Sequence, residues 1–106
     1  MITDLDSDVA APATVRALGE PVRWRIVELL ACQQLCVCHL TQELGISQPL
    51  VSHHLRVLRD AGLVAGERFR YWTYYRIVPE AMAALVGALT EFCGAATTAE
   101  HRRPCS

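Results

Sequence analysis

The stretch that decides the fold runs LCVCHLTQELG (Leu35–Gly45), IS (Ile46–Ser47) and QPLVSHHLRVLRDAGLV (Gln48–Val64). Val37, Leu40 and Leu44 recur at helical spacing up to Gly45, a helix-stopping residue. Ser47 then stands where a cap for the next helix belongs, with Gln48 and Pro49 in its first turn. That helix is predicted to reach about Ala61 and to end at Gly62. Two helices joined by Gly45-Ile46-Ser47 have the proportions of a helix-turn-helix, whose second helix enters the major groove of DNA.

At about 100° per residue, Val51, Leu55 and Leu58 fall on one side of the second helix, while Pro49, Ser52, His53 and Arg56 fall opposite. Gln48, Ser52 and His53 carry donors and acceptors suited to base edges. Arg56 and Arg59 are expected to hold phosphates, as are Arg68 and Arg70 at the tip of a hairpin further on. A polar helix face can equally be a solvated one, and it is the basic hairpin behind it that favours DNA. His54 lies at the edge of the apolar side and reads as a packed, hydrogen-bonded residue.

Upstream, residues 1–8 are polar and expected to be loose. Val9, Ala13, Ala17 and Leu18 mark a first helix broken at Gly19, and Pro21 opens a second in which Val22, Ile26, Leu29 and Leu30 share a face. Downstream, LVAGE and YWTYYRI are rich in β-branched and aromatic residues and flank Arg68-Phe69-Arg70, the pattern of a hairpin. Pro79 opens a last helix with a stripe of Met82, Leu85, Val86, Leu89, Phe92 and Cys93. The tail from about 97 to 106 is expected to be loose. The predicted fold is mainly α with a small β-hairpin, a winged helix-turn-helix forming a single domain over 1–106.

The 106 residues leave no room for a separate catalytic domain. No run approaches the ~18 to 20 consecutive apolar residues of a membrane helix, and the acidic start MITDLDSDVA is unlike a secretory signal. A cytoplasmic protein without a membrane partner is expected. The net charge of −1 hides an asymmetry. Residues 45–76 carry Arg56, Arg59, Arg68, Arg70 and Arg76 against Asp60 and Glu67, whereas the segments on either side are net acidic. There is no lysine, so phosphate contacts fall to arginine, backbone amides and hydroxyls.

In a reducing compartment the five cysteines suit metal or redox chemistry better than disulfides. Cys36 and Cys38 are the candidate pair. On a regular helix they would project about 200° apart. Either Cys36 precedes the helix, or binding of an ion deforms it. An all-thiol set selects soft ions such as arsenite, antimonite, cadmium or lead. Cys32 could join from the preceding loop and Cys105 from the tail. Cys93 lies on the apolar stripe, where core or dimer packing is an equal expectation. His39 is read as solvent-facing or phosphate-facing, not as a ligand.

The segments LCVC at 35–38, SQPLVSHHL at 47–55 and LRDAGLV at 58–64, with the hairpin ending WTYYRI, resemble the ArsR/SmtB family of metal-responsive repressors. LCVC is similar to the arsenic-sensing type. The resemblance implies a homodimer through the first and last helices, bound to double-stranded operator DNA when ligand-free and released when As(III) or Sb(III) acts as inducer, with no organic cofactor. It assigns Cys36 and Cys38 to the metalloid and Ser52 and His53 to DNA. Three features depart from the pattern. The third cysteine of one subtype would fall at Thr41, which leaves Cys32, Cys93, Cys105 or solvent to complete the site. The wing has Arg70-Tyr71 where Gly-Arg is frequent, and the last helix lacks the Asp/His set of zinc sensors. Alternatives are a repressor triggered by thiol oxidation or by divalent cadmium, lead or zinc, and, less favoured, a thiol enzyme such as an arsenate reductase. The chain lacks the C-x-x-C near a βαβ unit that such an enzyme would more often show.

Overall fold

The computed structural model describes residues 12–100 and 102–105. The expected loose segment at 1–8 and the start of the first helix lie outside the described residues. Helices α1 (Ala13–Leu18) and α2 (Pro21–Leu30) meet at Gly19 and Glu20. Glu20 caps α2, its carboxylate accepting from the backbone N–H of Val22 and, at 3.3 Å, of Arg23. Pro21 fits the first turn because that position has no intrahelical acceptor for an N–H.

Leu35–Cys36 form a short strand, β1, and α3 (Val37–Leu44) begins at the next residue. Gly45 ends α3 with φ 68°, a left-handed conformation that any Cβ would strain. Ser47 caps α4 (Gln48–Asp60), its hydroxyl accepting from Leu50 N–H at 3.4 Å. The chain then forms β2 (Val64–Phe69), β3 (Trp72–Ile77) and α5 (Pro79–Thr98).

The predicted two-stranded hairpin is a three-stranded sheet of order β1-β3-β2. β2 and β3 pair from Val64 opposite Ile77 to Phe69 opposite Trp72. β1 adds Leu35 opposite Tyr75 and Cys36 opposite Tyr74. Two residues are too few to display the alternation by which a strand is recognised. Ile26, Leu40, Val51, Leu55, Leu58 and Leu63 fill the core beneath the helix-turn-helix. Each contributes roughly 1.5–3 kcal/mol by leaving water.

Helix α5 packs beside α1, yet none of its residues is buried. Val86, Leu89 and Phe92 stand 60, 51 and 68% exposed. By length and composition α5 could cross a membrane. Cys93 is exposed, so its expected place in a core is not met within this chain, because the stripe that carries it faces outward.

The wing turns on Arg70-Tyr71, and Arg70 has φ 58°, a region in which a Cβ meets the following carbonyl. Arg68 Nε donates to the Arg70 carbonyl at 3.4 Å across this turn. Replacing Arg70 with Gly relieves the strain at the cost of a guanidinium. Urea unfolding of Arg70→Gly should show a gain of about 0.5–1 kcal/mol. Equal or lower stability would contradict a strained turn.

Candidate thiol centre and nucleic-acid interface

Cys36 has two structural duties. It ends β1, paired with Tyr74 of the wing, and it is the N-cap of α3. Of the two geometries open to the Cys-Val-Cys pair, the structure has the first: Cys36 precedes the helix, so the 200° separation does not apply. Its Sγ lies 2.7 Å from Cys38 Sγ. The sulfur also faces the backbone N–H of His39, while the imidazole Nδ1 of His39 accepts from Cys36 N–H at 3.2 Å. This is a capping box with a thiol in place of the usual hydroxyl.

His39 is exposed, as expected, and the capping box adds a contact the sequence did not show. Its Nδ1 is 3.2 Å from Cys36 Sγ, and its ring sits 6.2 Å from that of Tyr74. Its Nδ1 lone pair is engaged by the Cys36 N–H, so a metal ion could take that nitrogen only by displacing this bond. Ligand atoms of Cys36, Cys38 and His39 all lie within 4.8 Å of one another, a separation one metal ion can bridge. Sequence reasoning placed His39 on the solvent side of a helix. The signal that could have found it was its position three residues after an N-cap.

Cys32, Cys93 and Cys105 are exposed and stand outside this group. Cys32 shares a cleft of about 290 Å³ with His39, Leu35 and Gln42. Burial resists ionisation of Cys36, but the contact with Cys38 and the nearby backbone N–H groups of His39 and Cys38 outweigh it and hold its thiol below the ordinary value. Cys38 moves the opposite way, pushed up by its contact with Cys36, by desolvation and by the negative charge there. Of the two thiols Cys36 is therefore the more acidic, and the pair titrates as a unit.

On α4 the expected faces are realised. Val51, Leu55 and Leu58 are buried, Gln48, His53 and Arg56 are exposed, and Ser52 is half-buried. Arg59 is exposed but lies 3.7 Å from Asp60. Arg68 and Arg70 are exposed on the wing, with the Arg70 guanidinium 5.5 Å from the Phe69 ring. His54 is buried as expected. Arg23 Nη1 donates to its Nδ1 at 3.1 Å, which leaves Nε2–H directed at Glu20 Oε2, 3.5 Å away. Arg23 also donates through Nε to the Ala17 carbonyl at 2.7 Å. The cap of α2 thus extends into a polar tie that fixes the inner side of α4, a contact the sequence did not reveal.

A capped second helix with an exposed polar face, flanked by a wing with arginines, defines a winged helix-turn-helix of the DNA-binding class. Residues 20–65 match the family described as "Bacterial regulatory protein, arsR family". The arsenic resistance transcriptional regulator ArsR1 of Pseudomonas putida is 43% identical over 70 residues, which are 65% of this chain and 55% of that protein. The HTH-type transcriptional repressor SmtB of Mycobacterium tuberculosis is 44% identical over 77 residues, covering 73% of this chain and 57% of that one. The matches thus span little more than half the length of these two relatives. A crystal structure named "Possible transcriptional regulator for arsenical resistance" superposes with a TM-score of 0.69 at 32% identity, over 78% of this chain and 85% of that chain. The chain belongs to the ArsR/SmtB family of transcriptional regulators.

Burial lowers the His54 pKa below 6.5; the Glu20 carboxylate opposes this, and Arg23 and His53 add to it. A base whose native pKa is depressed stays neutral while the unfolded chain takes up a proton. Its contribution is therefore complete above the unfolded value and is lost as pH falls towards the native one. Unfolding free energy should decline between about pH 7 and 5 more steeply in the wild type than in His54→Gln, whose amide keeps a donor and an acceptor but does not titrate. Identical slopes in chemical denaturation at several pH values would refute this role for His54.

Proposed function

We propose that this chain is a repressor that binds operator DNA when free and releases it when As(III) or Sb(III) is captured by Cys36 and Cys38. The observation that carries the reading is the 2.7 Å approach of the two sulfurs at a residue belonging both to the wing sheet and to the cap of α3. Gln48, Ser52 and His53 read bases in this scheme, and Arg56, Arg59, Arg68 and Arg70 hold phosphates. Trivalent arsenic would bond both thiolates, with Cys32 or a hydroxide in its third position. The exposed apolar stripe of α5 beside α1 supports a homodimer, in which two copies bury Val86, Leu89 and Phe92. Burying these residues against a partner, together with the charged Glu91 among them, favours a cytoplasmic dimer helix over a membrane span.

Drawing the Cys36 sulfur onto arsenic removes the cap of α3. A lost N-cap costs about 1 kcal/mol, whereas a 100-fold loss of DNA affinity requires about 2.7 kcal/mol of coupling. The remainder falls to the β1–β3 pairing, through which the same residue holds the wing. In fluorescence anisotropy with a labelled operator under reducing conditions, arsenite should weaken binding by about 100-fold. Cys36→Ser and Cys38→Ser should bind DNA but ignore arsenite. A wild-type affinity indifferent to arsenite would end this reading.

The Nδ1 of His39 gives one specific reason for a second reading, a divalent soft ion such as cadmium or zinc on two sulfurs and one nitrogen. Gln at this position keeps the capping box and removes the imidazole. His39→Gln should leave an arsenite response within about threefold of wild type, while a cadmium response should weaken by about tenfold or more. An arsenite response abolished in His39→Gln would assign the site to nitrogen-containing coordination.

A further inference from the structure

The wing ends in aromatic residues turned to solvent: Phe69, Tyr71 and Trp72 stand 60, 87 and 54% exposed. Phe69 and Trp72 are opposed in the β2–β3 register, so their side chains share one face of the hairpin. Tyr71 belongs to the turn between them, beside Arg70 with its φ of 58°. Such a tip adds nothing to the core, and its neighbours are cationic. Arg68 Nε holds the Arg70 carbonyl at 3.4 Å, and the Arg70 guanidinium lies 5.5 Å from the Phe69 ring. Aromatic rings between two arginines suit a polyanion with stacked bases better than an apolar protein surface.

The place of the tip relative to α4 says where on the duplex it would act. Tyr71 and Trp72 border a recess of about 310 Å³ that Gln48, the first residue of α4, also lines. A major groove admits one helix, so an element beside the start of that helix meets the bounding strand and the minor groove beyond it. We propose that Tyr71 is a wedge that enters a base step from the minor groove and bends the duplex. Phe69 and Trp72 pack on the sugars behind it, and Arg68 and Arg70 hold the flanking phosphates. The proposal rests on the DNA-binding reading above and adds to it a residue that selects sequence without hydrogen bonds. Minor-groove acceptors scarcely distinguish A·T from T·A. The cost of opening a step does depend on sequence, because pyrimidine–purine steps unstack easily and A-tracts resist.

The test uses the full chain and a short duplex that it selects from a random-sequence pool, with a donor and an acceptor dye on the duplex ends. At saturating protein, energy transfer should report a bend of about 20° or more in the wild-type complex. Tyr71→Ala should lose most of that bend and bind the duplex about tenfold more weakly. Tyr71→Phe, which keeps the ring and loses only the hydroxyl, should retain both. Because the side chain is exposed, neither substitution disturbs the core. A selection repeated with Tyr71→Ala should lose the wild-type preference for a pyrimidine–purine step at the wing position. If the wild type binds the duplex without bending it, if Tyr71→Ala bends it equally, or if Tyr71→Phe behaves as Tyr71→Ala, the wedge is refuted and the DNA-binding reading stands. If the wild type selects no duplex, both fall together.

Discussion

Cys36 is constrained from two directions at once. Its backbone pairs with Tyr74 in the wing sheet, and its side chain caps the helix on which the DNA-reading helix rests. A serine in that position would serve the cap alone. A cysteine serves the cap weakly and in exchange offers a sulfur that a soft ion can draw away. Because the residue is shared, pulling on that one atom acts on α3 and on β3 together. In the proposed scheme neither the wing nor the helix-turn-helix then needs a separate sensor.

The reader itself is held more firmly than the sensor. Val51, Leu55 and Leu58 anchor α4 in the core, and the Glu20–His54 and Arg23–His54 contacts fix the same side from α2. At about 4.5–9 kcal/mol for the three side chains, this burial exceeds the ~2.7 kcal/mol of the ligand switch about two- to threefold. A ligand at Cys36 can therefore shift the pose of α4 relative to the wing without unfolding it. Such a division suits a regulator, in which the DNA face must survive the signal that displaces it.

Much of this was legible in the sequence because α4 is long enough to show its period, and because Gly45 and Ser47 carry their turn and cap chemistry in their identities. The faces of α4 and the buried state of His54 followed from that period. The partners of His54 did not, since Glu20 and Arg23 lie some thirty residues away and only the packing of α2 on α4 brings them near. Strand β1 has too few residues to show alternation. His39 is exposed as expected, but its contact with the sulfur was not legible, because only with Cys36 as the cap does the ring fold back onto it. A shift of one residue in the helix start changes the chemistry of the site. For α5 the apolar stripe was visible, but a stripe does not say whether its cover comes from the same chain or from another.

Coupling between the thiols and the DNA face is reciprocal by thermodynamic necessity. The most direct measurement is the affinity of the protein for arsenite, free and again with saturating operator DNA, by isothermal titration under reducing conditions. Operator should weaken arsenite binding by the same factor, about 100-fold, by which arsenite weakens operator binding. Equal arsenite affinity in the two states would mean that Cys36 and Cys38 bind without communicating with α4 or the wing.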